Sequence, residues 1–312
     1  MFTLDRCQVI PEEGHRASFR VAGRELVRWN YGLEYPRPFF YPVLGPSGQP
    51  LTRMGHPGAS NHDHHRSVWF AHNKLLGIDF WSDLHDPQIR QRQWFAYEDG
   101  PDFARMSVLL GWYDGHDPQP LVNQEVVTTF RPREYGEYTL EFQCRFTPQA
   151  DSIEFQQTNF GFLAVRMAKS ISSHFGGGEL TGADGQKGEP NLFGNPNAWM
   201  DYSGPVMVPE EGGRMREAVE GITYFDHPQN PAHPAKWHVR EDGWMGASAC
   251  RDASLETTTE NPLLLRYMLY IHRGGPQVEM NAKLAEEWAA RPALVVQKSA
   301  KKHTDYEVVD AT

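Results

Sequence analysis

The sequence has little cysteine, and its few cysteines are poorly placed for cross-linking. Cys7, Cys144 and Cys250 lie far apart, they are odd in number, and they form no C-x-x-C pair. This pattern argues against both a disulfide framework and a zinc ribbon. We expect the three thiols to be buried or incidental.

Long apolar runs and basic blocks are also missing. The longest apolar candidate, Leu263–Ile271, is interrupted by Arg266 and is about half of the roughly 18 residues that a membrane helix requires. The formal net charge is -10, and lysine and arginine form no extended block. Nucleic-acid phosphates need a basic footprint. We therefore expect neither a membrane span nor a nucleic-acid partner.

The first ten residues, MFTLDRCQVI, lack the apolar stretch of a secretory signal. Asp5 and Arg6 stand where such a signal has its hydrophobic region. The sequence therefore predicts a cytoplasmic protein.

Helical patterning is scarce, whereas alternation with a period of two is common. From Glu137 to Phe146 apolar residues alternate with polar ones, which predicts an antiparallel strand with one buried face. A hairpin is expected around Ala22-Gly23, and one helix is expected at Lys283–Ala290 with Asn281 as its cap. Further strands are predicted at Met106–Trp112, Val122–Phe130, Ile153–Gln157, Phe160–Ala168, Gly221–Phe225 and Leu263–His272.

Many short strands with almost no helix indicate an all-β fold. With 28 glycines and 23 prolines in 312 residues, turns must be frequent. No repeat, linker or shift in composition divides the chain. These features predict a large antiparallel β-sandwich that forms a single domain over residues 1–312.

Two histidine clusters are the most distinctive feature of the sequence. The first lies in NHDHHRSVWFAHNKLLGIDFW, residues 61–81, and the second in DHPQNPAHPAKWHVR, residues 226–240. Histidine gains and loses a proton near neutral pH and is seldom clustered for packing alone. We therefore expect the two clusters to form a functional site.

Acid–base chemistry requires two proton-transfer groups of opposite role. His65 or His72 is predicted to be one of them, and Asp226, Glu125 or His238 the other. Arginine forks would bind hydroxyl, keto or carboxylate oxygens. The remaining candidates for substrate binding are Arg37, Arg66, Trp69, Arg166, Asp201, His227 and Trp237. Arg37 stands among prolines, where a solvated residue on an edge strand is the alternative interpretation.

Other chemistries are weaker or remain open. His62 and His64 form an H-x-H pair that could supply two metal ligands, but no glutamate follows at the spacing of the cupin pattern. No G-x-S-x-G elbow is present, and the glycines at 176–178 lack the spacing of a phosphate loop. Hydrolysis by paired carboxylates stays possible. So does a sugar-binding or sensory module without turnover.

These motifs carry a family resemblance. The signatures HHR-x-x-WFAH and FDHP-x-N-P-x-H-P-x-x-WH resemble mostly bacterial proteins labelled the PmoA family, after a methane oxygenase subunit. Matching segments are RPFFYPVLGPSGQPLTR, DHHRSVWFAHNKLLGIDFW, FGFLAVRMA, GQKGEPNLFGNPNAWMDYSG, FDHPQNPAHPAKWHVR and LLLRYMLYIHRG. The chain departs from the family pattern after Gly243, where it reads WMGASACRDAS, so one wall of the site is expected to differ.

The resemblance implies a sandwich similar to the galactose-mutarotase supersandwich and a role in sugar metabolism. It does not imply a methane monooxygenase, whose subunit of this name is an integral membrane protein. The expected protein is an enzyme that epimerises, eliminates from or hydrolyses a sugar or an oxidised sugar derivative. We expect it to use no cofactor and to bind a small carbohydrate ligand. The sequence is also compatible with a homo-oligomer.

Overall fold

Two large antiparallel sheets dominate the fold. This computed structural model describes residues 5–56, 58–84 and 86–311, apart from the side chain of Asn61. The strands are β1 Cys7–Glu12, β2 Arg16–Val21, β3 Arg24–Asn30, β4 Phe39–Val43, β5 Val68–His72, β6 Gln88–Glu98, β7 Ala104–Tyr113, β8 Val122–Pro132, β9 Tyr138–Pro148, β10 Ser152–Phe155, β11 Gly161–Arg166, β12 Glu179–Gly182, β13 Trp199–Pro209, β14 Met215–Asp226, β15 Trp237–Arg240, β16 Trp244–Ala247, β17 Leu255–Thr258, β18 Leu263–Arg273, β19 Leu294–Lys298 and β20 Tyr306–Asp310. The helices are α1 Glu189–Leu192 and α2 Val278–Ala289, and single 3-10 turns lie at Ser60–His62 and Glu134–Gly136.

Each large sheet has eight strands, and the two sheets pack face to face. The first sheet has the order β1-β2-β3-β4-β5-β11-β16-β15, and the second has the order β12-β13-β14-β18-β9-β8-β7-β6. Side chains of both sheets meet in one core, as in the contacts of Phe142 with Phe40 and Phe70, and of Tyr224 with Trp237. The predicted all-β antiparallel sandwich is therefore confirmed.

The alternation along β9 sets which face of that strand is buried. Tyr138, Leu140 and Phe142 are at most 1% exposed and belong to the core between the sheets. Burying one large apolar side chain contributes about 1.5–3 kcal/mol, so a one-residue slip in register would be very costly. The strand predicted at Glu137–Phe146 is confirmed. Cys144, on the same face, is buried and free, as are Cys7 and Cys250.

The first hairpin also forms as predicted. Ala22 and Gly23 both have positive φ, at 48° and 82°, between β2 and β3. Two successive residues with positive φ are typical of the type I′ turn, whose twist matches that of the flanking strands. Glycine is suited to the second position because it lacks a Cβ.

The predicted helix is present, but its start was wrong. Helix α2 begins at Val278 after Gln277, and Asn281 lies inside it rather than capping it. Asn281 is 1% exposed, and its Nδ2 donates to Thr223 Oγ1 at 3.3 Å. Leu284 and Trp288 then pack on the outer face of the second sheet, the face that points away from the first sheet.

The outer face of the first sheet carries an aromatic cluster of its own. Its buried members are Phe39, Trp69, Trp81 and Trp244, together with the small residues Ala71 and Ala164. This face, rather than the core between the sheets, holds the candidate site. Among the described residues, no helix is long and apolar enough to cross a membrane.

Candidate active site

A cavity of about 570 Å³ opens on the outer face of the first sheet. Its walls combine histidines, aromatic rings and arginines. It is lined by His62, His64, His65, Asn73, Trp81, Ser82, Phe160, Arg166, His238, Arg240, Asp242 and Trp244. A cavity of this size is typical of small-molecule binding sites.

Strand alternation decides which residues of β15 and β16 reach the cavity. His238 and Arg240 share the outer face of β15, whereas Trp237 and Val239 belong to the core between the sheets. Trp244 opens β16 after a tight turn in which Gly243 has a φ of 95°. The two strands of this hairpin therefore supply three lining side chains, because their neighbours are needed in the core, and its turn adds Asp242 as a fourth.

Three indoles form the floor and one wall of the site. Trp69 lies 5.6 Å from Trp81 and 5.2 Å from Trp244 between ring centroids, and Trp81 lies 5.4 Å from Trp244. Ala71 on β5 and Ala164 on β11 leave room for these rings on the same face. Trp81 and Trp244 line the cavity, and Trp69 packs behind them.

The two histidine clusters meet in this cavity through one residue of the second cluster. The His65 ring lies against Trp69 at 5.6 Å and Trp244 at 4.6 Å. The His238 ring contacts Phe160 at 4.9 Å and Trp244 at 6.1 Å. His65 and His238 thus share Trp244 as a common neighbour.

Burial keeps both of these imidazoles neutral. It lowers the pKa of His238 to about 4, and the positive charges of Arg240 and Arg251 act in the same direction. Burial holds the pKa of His65 far below its ordinary value, with a further contribution from His64. Near pH 7 each ring therefore has one nitrogen that donates and one that accepts.

An ion pair between buried Arg166 and partly exposed Asp242 forms part of the cavity wall. Arg166 is fully buried, and its Nη1 and Nη2 donate to the two carboxylate oxygens of Asp242 at 2.7 and 3.1 Å. His56 Nε2 lies 3.1 Å from Asp242 Oδ2. Burial opposes ionisation of Asp242, but the hydrogen bonds and charge of Arg166 outweigh it and lower its pKa. Asp242 is therefore a paired carboxylate.

Several buried polar atoms around the cavity make no hydrogen bond within the part of the chain that the structure describes. They are His65 Nδ1, His238 Nδ1, Trp69 Nε1, Trp244 Nε1 and Arg166 Nε. Buried polar groups are normally paired, so such a concentration needs an explanation. Unpaired buried polar atoms are found at catalytic sites and where water or an ion completes the hydrogen bonds.

Arg37 and Arg66 hold the loop that carries Trp81, instead of facing the cavity. Arg37 is 2% exposed, and it donates to the carbonyls of Phe80 and Ser82 and to Asp83 Oδ1. Arg66 donates to the same carboxylate. The alternative interpretation of Arg37 as a solvated residue was wrong because its guanidinium is needed to fix this loop.

Removing the carboxylate of Asp83 is expected to loosen one wall of the cavity. In Asp83→Ala, Arg37 would stay buried without its charged partner, so the free energy of unfolding should fall by about 1–2 kcal/mol. Ligand affinity should fall as well, since Trp81 would lose its support. Chemical denaturation measures the first effect and tryptophan fluorescence the second. Asp151→Asn, at an exposed position, should change neither; equal stability of Asp83→Ala and the natural protein would contradict this role.

Three of the residues predicted to transfer protons, His72, Glu125 and Asp226, do not line the cavity. His72 is fully buried on the core face of β5 between Phe155 and Phe162, and its Nδ1 accepts from the Lys74 backbone N–H. Glu125 lies on β8 of the second sheet, opposite Arg145 on β9. The structure therefore does not bring His72 or Glu125 to His65 and His238.

Most of the second histidine cluster organises a turn. Asp226 is 4% exposed; it accepts from Asn230 Nδ2 and from the Ala235 backbone N–H, and its Oδ2 lies 3.0 Å from His233 Nδ1. His227 is fully buried with its ring 4.6 Å from that of Trp288. Trp237 faces the core, and its Nε1 donates to the Asn197 carbonyl. The predicted site residues Asp226, His227 and Trp237 therefore do not line the cavity.

Asp201 belongs to a buried network beneath α2. It accepts from Ser203 Oγ at 2.5 Å and Thr223 Oγ1 at 2.6 Å, and lies 2.7 Å from His272 Nε2. Burial would lower the pKa of His272, but the charge and hydrogen bond of Asp201 raise it. This network attaches the helix to the second sheet. The cavity lies on the outer face of the first sheet, so Asp201 does not line it.

Comparison with known families identifies the chain. A family model described as a family of unknown function, DUF6807, matches residues 16–287. The protein belongs to the DUF6807 family. The expected membership of the PmoA family is not supported by this match.

A solved structure shows a weak similarity to this DUF6807 protein. A crystal structure of a GalM/aldose epimerase homologue from C. elegans matches with a TM-score of 0.34 and 8% sequence identity. The match covers 86% of this chain and 99% of that one. A search of curated proteins finds no match.

Sequence reasoning missed several lining residues of the DUF6807 protein. Trp81 closes the first histidine motif, and Asp242 and Trp244 follow the second at the turn between β15 and β16. Asn73, Ser82, Phe160 and Arg240 were missed as well. The strand-and-turn pattern after His238 could have indicated these residues. A tight turn between two paired strands brings Trp244 back beside Arg240.

His62 and His64 lie at the mouth of the cavity with stacked rings 6.0 Å apart. Burial, and then the charge of His56, lowers the pKa of His62. Among the described residues, no group of three or more histidine, cysteine, aspartate or glutamate side chains is arranged to hold a metal ion. The geometry thus gives the predicted H-x-H pair no third ligand within those residues.

Acid is expected to destabilise this DUF6807 protein well before its carboxylates are protonated. Burial lowers the pKa of His72 and His227 to about 3 and that of His238 to about 4, from an ordinary 6.5. At a pH between the lowered pKa of each histidine and 6.5, that histidine is protonated in the unfolded chain but neutral in the folded protein. Stability therefore falls as pH drops below 6.5, by up to about 2 kcal/mol for each histidine at pH 5.

Denaturation of His72→Asn at pH 7 and pH 5 tests this. The loss between the two pH values should be smaller by about 2 kcal/mol than in the natural protein. His116→Asn, at an exposed position, should leave the loss unchanged. An unchanged loss in His72→Asn would show that this ring is not a buried neutral base.

Proposed function

We propose that the protein is an enzyme that moves protons on a sugar or an oxidised sugar derivative, with His65 and His238 as its two proton-transfer groups. The observation that carries the proposal is that two imidazoles, both kept neutral by burial, line one cavity and contact the same indole. The cytoplasmic location and the role in carbohydrate metabolism expected from the sequence belong to the same proposal.

The chemistry needs one group that takes a proton and one that gives a proton. The Nδ1 atom of each ring is buried, so the opposite edge, with Nε2, is the part of the ring that can reach a ligand. One imidazole takes a proton from a sugar carbon or hydroxyl and becomes positively charged, and the other gives its ring proton to another atom of the sugar. A proton that passes from the first ring to the second, directly or through water, returns both imidazoles to the neutral state. The net charge of the site is then the same before and after the reaction.

The remaining walls suit a sugar. The flat faces of Trp81, Trp244 and Phe160 offer apolar surface for the C–H face of a ring. Asn73, Ser82 and Arg240 supply polar groups on the same cavity for hydroxyl, keto or carboxylate oxygens. A mostly apolar cavity with a few convergent polar groups is typical of specific small-molecule sites.

Isomerisation or elimination is better supported than hydrolysis by two carboxylates. Among the described lining residues, Asp242 is the one carboxylate, and Arg166 and His56 occupy it. Hydrolysis by paired carboxylates needs two such groups facing the scissile bond. The same pairing favours the second candidate, a sugar-binding module without turnover, since a fully paired carboxylate contributes to recognition but not to proton transfer.

Solvent exchange distinguishes these functions. A panel of aldoses, ketoses, keto-sugars and uronates is incubated with the protein in D₂O and followed by proton NMR and mass spectrometry. Deuterium at a sugar carbon, loss of a C–O bond or accelerated interconversion of anomers supports the enzyme. Binding of a sugar that is recovered intact and unlabelled supports the binding module. Failure of every sugar to bind would overturn both.

A further inference from the structure

A second enclosed space lies on the opposite side of the molecule. A hollow of about 180 Å³ separates the outer face of the second sheet from the segment that follows α2. Its outer wall includes Arg291 and Asp310, which lie beyond the residues matched by the family model. The hollow is therefore separate from the proposed active site and independent of the proposed function.

Four guanidinium groups line this hollow against two carboxylates. The arginines are Arg105, Arg131, Arg266 and Arg291, and the carboxylates are those of Glu141 and Asp310. Arg131 Nε and Arg291 Nη1 both donate to one oxygen, Glu141 Oε1. Arg105 takes its own partner, Glu98, at 3.0 Å. The positive charges of the arginines at this hollow therefore outnumber the negative charges of their carboxylate partners.

Arg266 is the least compensated of the four. It is 5% exposed, and its donors go to neutral oxygens: Gln229 Oε1 and the backbone carbonyls of Arg291 and Pro292. Among the described residues, no carboxylate forms an ion pair with it. A buried cation is costly unless an opposite charge lies close.

Two of the lining arginines also have unused donors. Within the described residues, Arg131 Nη1 and Nη2 and Arg105 Nη2 donate no hydrogen bond, although both side chains line the hollow. Thr129 Oγ1, which accepts from Arg105 Nε, has its own proton to donate. Guanidinium forks match the oxygens of phosphate with two parallel hydrogen bonds.

We propose that this hollow, lined by Arg105, Arg131, Arg266 and Arg291, binds a single small tetrahedral oxyanion of the phosphate class. A space of this volume accommodates a group about the size of a benzene ring, which excludes a nucleotide or a polymer. The bound anion connects the second sheet to the C-terminal hairpin β19–β20, because Arg105 and Arg131 lie on the sheet and Arg291 lies just before β19. Binding therefore stabilises the folded protein.

Thermal unfolding of the full chain with inorganic phosphate, at constant ionic strength, tests the site. We expect a saturable rise in Tm, and calorimetry should give one phosphate per chain. Arg131→Gln and Arg105→Gln should weaken phosphate binding by about tenfold or more, since each removes a charge-assisted hydrogen bond. Asp310→Asn should strengthen it, since it removes a negative charge from the wall.

Two matched controls locate the anion. Arg214→Gln, at an exposed position, should keep the full effect of phosphate. Arg240→Gln, in the other cavity, should keep it too; loss of the effect there would assign the anion to the sugar cavity and overturn the proposal. A Tm that does not respond to phosphate, or responds equally in all variants, would also overturn it. A sugar phosphate that binds where inorganic phosphate does not would contradict the size of the ligand.

Discussion

Turnover is expected to fall by about 10²–10⁴-fold in His238→Gln and in His65→Asn, once a substrate has been found by solvent exchange. Both substitutions keep a hydrogen-bonding side chain but remove the group that accepts or gives a proton. Because the two imidazoles lie on the same cavity and share Trp244, loss of either one should stop the reaction. The substrate should still bind, so kcat should fall more than KM rises.

A histidine outside the site provides the control for this experiment. His116 is exposed, and His116→Gln should keep full turnover. If His65→Asn and His238→Gln each kept full turnover as well, the assignment of proton transfer to these residues would be wrong. If one variant were inactive and the other active, the site would contain a single proton-transfer group.

The second large effect is expected from the ion pair in the cavity wall. In Asp242→Asn, Arg166 would stay fully buried with no carboxylate, and the free energy of unfolding should fall by about 3 kcal/mol. Asp252→Asn breaks an exposed pair with Lys236, so it should cost no more than about 1 kcal/mol. Chemical denaturation of both variants at pH 7 makes the comparison.

A double variant separates the pair from its surroundings. Arg166→Gln/Asp242→Asn should lose clearly less stability than the sum of the two single variants, because no buried charge is then left unpaired. Additive losses would show that Arg166 and Asp242 act independently, which the bidentate hydrogen bonds contradict.

The sequence predicted the sandwich well because period-two alternation is a direct consequence of strand geometry. Tyr138, Leu140 and Phe142 must face the same side of β9, and the structure buries all three. The start of α2 was predicted less well. Asn281 is a favourable cap in isolation, but its amide is used by Thr223 beneath the helix. The extent of the domain, residues 1–312, remains a prediction.

The same alternation, applied within each motif, would have improved the prediction of the site. In β5 the sequence VWFAH places Trp69 on one face and His72 on the other, so the two could not both face a ligand. In β15 the sequence WHVR separates Trp237 from His238 in the same way. Clustering along the chain thus identified the right region, but it did not show which side chains line the cavity and which belong to the core between the sheets.

Other assignments depended on contacts between distant parts of the chain. Arg37 and Asp83 are separated by 46 residues, and Arg166 and Asp242 by 76. No local pattern indicates that the first pair fixes the loop of Trp81 or that the second forms part of the cavity wall.

The protonation state of His65 and His238 decides whether these two rings can transfer protons as proposed. Nitrogen-15 NMR of histidine-labelled protein, assigned with His65→Asn and His238→Gln, reports whether each imidazole is neutral. Both rings should be neutral from pH 6 to pH 8, and the resonances of both should move when a sugar binds. Rings that are charged at pH 7, or that do not respond to a bound sugar, would contradict the proposed proton transfer.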